Sequence, residues 1–389
     1  MTTDRLYYTD SYVREFGARV IEADAGGLRV ILDRTAFYPT SGGQPFDLGT
    51  LAGSRVLEVI DEEDRVIHLL EAPLPSGAEV EGRIDWARRF DHMQQHTGQH
   101  LLSAVFEELY SMPTLSFHMG AETSTIDLRA GSLDAKQSAR VEERCAEIIA
   151  QARPVIVTFE DAASASGLRK ESQRTGVLRI VSIDGIDRSA CGGTHVSSTA
   201  EIGPILIRKI EKIRGDIRVE FVCGLRALRQ ARQDYRVLSE IGRALSVSLD
   251  RAPEVVAAQI ERIKALEKAS QKLSTELALR EGRELYAATA PDSGGLRRVT
   301  QRGPIDEAMR ARAQAFVAGG SAVFLAICED PPSVLLAASA DSGIHAGERV
   351  KAAVAAAGGR GGGNQMLAQG SVPSKDAFNV VCDTLSLLR

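Results

Sequence analysis

The sequence predicts an α+β multidomain chain: a small β-barrel over residues 1–90, an α+β domain over 91–224, a helical hairpin or coiled coil over 225–289, and a C-terminal α/β domain over 290–389. Three observations carry this. The 389 residues exceed the length at which one hydrophobic core keeps growing. The spacing of apolar residues lengthens from alternation to a helical repeat near Asp91. Further on, a nearly glycine-free stretch rich in Arg, Glu, Ala and Leu gives way to the linker Ala290-Pro-Asp-Ser-Gly-Gly295.

Taken in order, the first segment alternates in short pieces such as Leu28–Leu32 and Ile67–Leu70, separated by Gly, Pro and Asp turns, which is the pattern of a small barrel. From Asp91 to about Tyr110, Leu101, Leu102, Val105 and Leu109 fall on one side of a helix. A second helix is expected from Leu133 to Gln151, followed by strands at Val155–Thr158, Val177–Ile180 and Pro204–Ile207. The stretch 225–285 reads as helical with a break at Ala252-Pro253; Ile263, Leu266, Leu273 and Leu277 suit either a helix packed on its own domain or the seam of a homodimer. In the last segment, strands are expected at Ala322–Ile327 and Ser333–Ala338, helices at 305–317 and 349–357, and the run Gly358–Gly363 reads as a flexible helix exit or a backbone nest for phosphate beside Arg360. It lacks the Gly-Lys-Ser/Thr ending of a Walker loop.

The formal net charge of −5 excludes global basicity as a footprint for nucleic acid, so any such surface is local. A candidate strip is Arg208-Lys209 with Lys212, Arg214 and Arg218, or else the solvated face of a strand. The five cysteines form no paired framework, and neither an apolar leader nor a membrane-length apolar run is present, so a reducing cytoplasm is the expected compartment. Cys145, Cys223, Cys328 and Cys382 sit singly in apolar or helical stretches and read as buried thiols.

Four residues stand apart. His96 and His100 are four apart on the expected helix, so both imidazoles can face one ion. Cys191-Gly-Gly-Thr-His195 adds a thiolate and a third imidazole, with glycines that free the backbone to wrap a metal. A lone His-x-x-x-His is common by chance, but one cysteine and three histidines suit tetrahedral zinc. The helix offers no carboxylate at Met93, Gln94, Gln95 or Thr97, which argues against a metallopeptidase of the His-Glu-x-x-His kind. Four protein ligands mark a closed, structural zinc, whereas a catalytic one keeps a position open. Asp187-Arg188, just before Cys191, is a candidate for hydrogen bonds behind a ligating imidazole or for a salt bridge at a turn. His118 and Asp127 are not read as ligands.

Thr35-Ala-Phe-Tyr-Pro-Thr-Ser-Gly-Gly-Gln44, Asp47-Leu-Gly49, His96-Thr-Gly-Gln-His100, Cys191-Gly-Gly-Thr-His-Val196 and Glu201-Ile-Gly203 resemble, in order and spacing, the editing domain of alanyl-tRNA synthetase and its free-standing relatives, the AlaX proteins. Gly358–Gly363 with Met366-Leu-Ala-Gln-Gly370 looks like the DHH-associated, tRNA-binding C-terminal domain of that synthetase, so the resemblance is to the long AlaX type. It implies a zinc-containing editing domain at 91–224, a DHH-associated domain at 290–389, and hydrolysis of the ester joining serine or glycine to the terminal adenosine of alanine tRNA. Charging is not implied, because only a barrel-like segment precedes the histidine helix. By resemblance, His96, His100, Cys191 and His195 hold zinc, and Gln44 and Thr35 are editing-site residues. Thr35 would sense the seryl hydroxyl or else be a strand threonine on a barrel edge, and Gly42 and Gly43 would let the backbone approach substrate, form a tight turn, or both. Arg208 and Lys209 would contact tRNA phosphates. The alternative from another class is a non-catalytic tRNA-binding module around a structural zinc.

Overall fold

The computed structural model describes residues 2–171, 173 and 175–386. Positions 172 and 174 of the span 91–224 and the last three of the span 290–389 lie outside the described residues. Where four spans were expected, the chain groups into two compact units, Met1–Glu240 and Ile241–Arg389. No described helix is long and apolar enough to cross a membrane.

The N-terminal strands close into a six-stranded barrel, in the order Glu15–Ala23, Arg29–Leu32, Arg65–Leu70, Ser54–Glu62, Gly49–Leu51 and Glu79–Ile84. Their alternation is the cause: in Glu79–Ile84 every second residue is buried, and Phe16, Val20, Leu32, Leu51 and Val59 fill the interior. Closure leaves no unpaired edge in the barrel.

Helix α1 spans Trp86–Tyr110 and begins earlier than the apolar repeat suggests, because Asp85 caps it by accepting the Arg88 N–H and because Trp86 and Phe90 pack on the core. It ends where Ser111 turns left-handed. From His92 to Phe106 α1 is buried all round. Met93, Leu101, Leu102, Val105 and Phe106 meet the core, and the opposite, polar face is enclosed as well. Helix α2, Ala135–Ala150, starts on an Asp134/Gln137 capping box and lays Val141, Cys145 and Ile148 on the same core.

This unit also holds a short parallel pair, Asp4–Arg5 with Arg34–Thr35, and two antiparallel sheets. One runs Ile205–Ile213, Asp216–Cys223, Ser124–Leu128, Thr114–Met119; the other runs Val155–Asp161, Val177–Ile183, Asp187–Ala190. Thr114–Met119 and Ser124–Leu128 escape a reading of apolar runs because their outward residues are polar. Helix α3, Gly224–Leu245, leaves the last strand.

In the second unit, helix α4 (Ala252–Ala288) has Pro253 in its first turn, where a missing N–H costs nothing, so the expected break at Ala252-Pro253 is a helix start. A five-stranded sheet follows, ordered Arg297–Arg302, Ala322–Glu329, Pro332–Ala338, Leu367–Ser371, Arg360–Gly363, with helices α5 (Glu307–Val317), α6 (Ala346–Ala356) and α7 (Lys375–Ser386). Alternate residues of one strand serve two cores: Val323, Leu325 and Ile327 pack with α6 and α7, and Ala322, Phe324 and Ala326 with α5. A strand covered on both faces reads as an unbroken apolar run. The Gly358–Gly363 run is not a flexible exit: Arg360–Gly363 is an edge strand paired with Leu367–Ser371. Its glycines permit the pairing, since a Cβ at Gly361 would lie 2.8 Å from the Gly370 Cα.

Candidate metal centre

Helix α1 delivers His96 and His100 one turn apart, with ring centroids 5.4 Å from each other. The loop after Asp187–Ala190 brings Cys191 and His195 against them, placing the His195 ring 4.5 Å from that of His96. All four donor atoms lie within 4.8 Å of one another, so the cluster can hold a metal ion. The Cys191 Sγ stands 3.4 Å from His96 Nε2 and 3.3 Å from His195 Nε2.

What aims the rings is behind them. His96 Nδ1 bonds Gln44 Oε1 at 2.8 Å, His100 Nδ1 bonds Asp187 Oδ2 at 2.8 Å, and His195 Nδ1 bonds Thr97 Oγ1 at 3.1 Å. Thr97 donates its own proton to the Met93 carbonyl, so toward His195 it accepts. Each imidazole therefore directs Nδ1 at an outer acceptor and turns Nε2 toward the other donors, the orientation in which a metal can displace any proton there. Asp187 is held in turn by Arg169 at 2.7 Å and by Ser189.

Burial pushes the Cys191 thiol up, but the His96 and His195 rings overcome this and hold it well below its usual range, favouring thiolate. Burial pulls His195 down to about 3. At His100 burial also opposes charge, yet Asp187 and Cys191 raise it to about 9. These anions create a local field that attracts a cation.

Gly193 explains the second motif: a Cβ there would overlap the His96 ring and crowd Gln44. Gly193→Ala is expected to displace His96 and to lower bound metal per chain, read by atomic absorption, while Gly192→Ala, whose Cβ would meet only Tyr8 at 3.8 Å, retains it.

His96, His100 and Cys191 line a cavity of about 730 Å³ whose wall includes Tyr7, Tyr8, Tyr38, Gly42, Gln99 and Phe117. The expected contact residues divide. Gly42 reaches the wall. Gly43, at φ +84°, is tied to the Thr114–Met119 strand through the Met119 N–H, and a Cβ there would sit 2.7 Å from the Phe117 carbonyl. Gln44 is buried behind His96; its amide nitrogen donates to Thr194 Oγ1 and its oxygen also accepts the Thr194 N–H. Thr35 is not brought to the cavity: it is fully buried at the barrel, bonded to His68 Nε2 at 2.9 Å and accepting from the Phe37 N–H. Burial holds His68 neutral, at about 4. Thr35→Val is thus expected to lower stability by about 1–3 kcal/mol, by stranding a buried ring nitrogen. Thermal melts check this, and metal bound per chain should not change.

Arg208 and Lys209 lie on Ile205–Ile213, outside the cavity wall, paired with Asp234 and Glu211, and Arg218 pairs with Asp127. His118 is exposed on its strand and is not part of the donor cluster. Thr97, Arg169 and Gln99 were not singled out in the sequence; Thr97 and Gln99, inside His96-Thr-Gly-Gln-His100, had a signal in their position between two ligands, and Arg169 had none.

Residues 178–219 match the family described as the threonyl and alanyl tRNA synthetase second additional domain, and 310–387 match the DHHA1 domain. The chain is 32% identical to the alanyl-tRNA editing protein AlaX-L of Pyrococcus horikoshii, over 98% of each chain. It is 32% identical to the alanyl-tRNA editing protein Aarsd1 of Mus musculus, over 73% of this chain and 74% of that one. The alanine–tRNA ligase of Pyrococcus abyssi is 34% identical over 71% of this chain, which corresponds to 32% of that enzyme. End-to-end similarity, two family domains in order and a preformed donor cluster converge: the chain belongs to the alanyl-tRNA editing proteins of the long AlaX type.

Proposed function

We propose that this editing enzyme, an aminoacyl-tRNA deacylase, hydrolyses Ser-tRNA(Ala) in trans, with the glycyl ester as a second substrate, at a zinc ion held by His96, His100, Cys191 and His195. The observation that carries it is the convergence of four donors, three of them lining a cavity, with all three imidazoles aimed by outer hydrogen bonds. The donor set fits: zinc–nitrogen bonds of about 2.0–2.1 Å and zinc–sulfur bonds of about 2.3 Å give a tetrahedral nitrogen-to-sulfur edge of about 3.5 Å. The edges from Cys191 Sγ to His195 and His96 Nε2 are 3.3 and 3.4 Å. When bound, the metal supplies Lewis acidity and lowers the pKa of water.

The chain's residues do the rest. Gln44, out of reach of the cavity, acts as a positioning residue by holding the His96 proton on Nδ1. Asp187 does the same for His100. Gln99 lines the cavity between the two histidines and offers polar atoms to a seryl hydroxyl, a bond alanine cannot make. Arg208 and Lys209 are assigned to tRNA phosphates; giving up exposed ion pairs for them costs little. The more-than-half-exposed Ile263, Leu266, Leu273 and Leu277 of α4 support a homodimer seam, checked by sedimentation.

Purified protein, zinc-loaded or chelated, is incubated with Ser-tRNA(Ala) and Ala-tRNA(Ala). Zinc-dependent loss of the seryl ester with the alanyl ester spared is the expected result, and a stable seryl ester sinks the reading. Four protein donors favour a second reading, a tRNA-binding module with a structural metal, which predicts tRNA binding without deacylation.

A further inference from the structure

Five phenylalanine and tyrosine rings line the cavity, and four of them are taken. Tyr7 and Tyr38 are buried and meet edge to face, with centroids 5.3 Å apart. The guanidinium carbons of Arg5 and Arg179 each stand 5.6 Å from the Tyr8 centroid. Phe117 lies against the His96 ring at 5.3 Å, tilted by 31°. Phe159 differs: it is 49% exposed and, among the described residues, has neither a second ring nor a guanidinium against it. The sheet sets it in the wall. Phe159 is paired directly with Arg179, so the two side chains share a face, and Arg179 reaches inward to donate to the Cys191 carbonyl at 2.6 Å. Val177, diagonal to Phe159 on that face and also in the wall, is 70% exposed, whereas Val181 further along is buried. The face therefore opens outward at the end that carries Phe159 and Val177, and there it stays apolar, leaving a bare ring in a concave wall.

We propose that the Phe159 ring stacks on the adenine of the substrate's 3′-terminal nucleotide while the aminoacyl ester lies over the metal cluster. This rests on the function proposed above and extends it to a base subsite. Serine and glycine carry nothing that could cover a phenyl ring. The purine is the flat, apolar part of the substrate, and in a single-stranded end its face is free to stack. The spacing agrees. In the nucleotide the ribose holds the base away from the ester, and in the cavity the length of the Arg179 side chain holds Phe159 away from Cys191 and the other donors. Every base has a π-face, so the contact seats the terminal nucleotide without reading its identity.

The test uses the full chain and two probes: a CCA trinucleotide bearing serine through a 3′-amide, which is not hydrolysed, and the same compound lacking its terminal base. Affinities are measured for wild type, Phe159→Ala, Phe159→Leu and Phe159→Tyr, with metal content assayed in each. The Ala variant is expected to keep its metal and to bind the complete probe about 5- to 150-fold more weakly, the range for loss of one base–aromatic stack. It should bind the base-free probe as wild type does, because removing the base and removing the ring delete the same contact. The Tyr variant should stay within about twofold of wild type, and the Leu variant, apolar but not flat, should fall with Ala. The salt slope should not change, since no charge is lost. Binding of the complete probe by the Ala variant within about twofold of wild type overturns the assignment, as does a Leu variant that binds like wild type. Equal losses on the two probes also overturn it, because they mark a structural role, and so does no binding by wild type. Should the Ala variant fail to fold, the comparison of Tyr with Leu decides. Wild type that binds the amide but leaves Ser-tRNA(Ala) intact overturns the proposed function and leaves Phe159 standing.

Discussion

Cys191→Ala is expected to abolish stoichiometric metal binding and to lower deacylation by more than the roughly 10–100-fold that follows loss of an outer partner of a metal ligand. The thiolate is the cluster's anionic donor, and it lies within 3.4 Å of two imidazole nitrogens. Without it, three buried neutral rings hold a cation with only Asp187 nearby to balance it. Asp187→Asn supplies the graded comparison. It keeps an oxygen for the His100 proton but loses the charge and weakens the bond to Arg169, so metal should bind more weakly without being lost. Metal titration followed by single-turnover deacylation separates the two. If Cys191→Ala binds metal as tightly as wild type, the four-donor site is wrong. If it unfolds outright, circular dichroism of the chelated wild type shows whether the metal also holds the domain together.

Asp47→Ala is expected to destabilise the first unit by about 3–5 kcal/mol, the usual result of stripping one partner from a buried ion pair. Asp47 and Arg89 are both fully buried. Arg89 Nε lies 3.0 Å from the carboxylate, Nη1 donates to the Ser11 carbonyl, and Nη2 bonds Asp47 and the Ala36 carbonyl. Asp47 also accepts the Tyr38 N–H at 2.7 Å. These bonds pin the loop that carries Gln44 to the helix that carries His96. Melting of the variant should fall by about 6–20 °C for a unit of this size. Metal affinity should fall with it at temperatures where the fold survives. A variant within about 1 kcal/mol of wild type would show that water replaces the carboxylate and that the ion pair does not pin the loop.

How far the residues announced the site depends on the distance over which each contact acts. His96 and His100 were legible because a helix sets four-residue neighbours on one face, and Cys191 with His195 because a short glycine turn can present both. The resemblance points to Thr35–Gln44 as one segment, whose members the structure divides: Gly42 lines the cavity, and Thr35 and Gln44 do not. Thr35 faces His68 and Gln44 faces His96, contacts spanning 33 and 52 residues that no local period encodes. The Gly358–Gly363 run misled for a related reason. Glycine lowers local strand preference, yet close approach to Leu367–Ser371 demands it, and that partner is visible only in the sheet. The basic strip at Arg208 and Lys209 was legible as charge, but the acids beside it, Asp234 on α3 among them, were not.

The sequence by itself determined the order of barrel, histidine helix, long helices and C-terminal sheet, the identity of the four donors, and the family. These follow from side-chain periods, short motifs and their order along the chain. Only the tertiary structure decided that Gln44, Thr97 and Asp187 hydrogen-bond the three imidazoles and that Thr35, in a short strand paired with Asp4–Arg5, is turned to His68 of the barrel. The physical reason is that a hydrogen bond's partner is chosen by proximity in the packed state, and packing joins residues such as His100 and Asp187 across 87 positions of intervening chain.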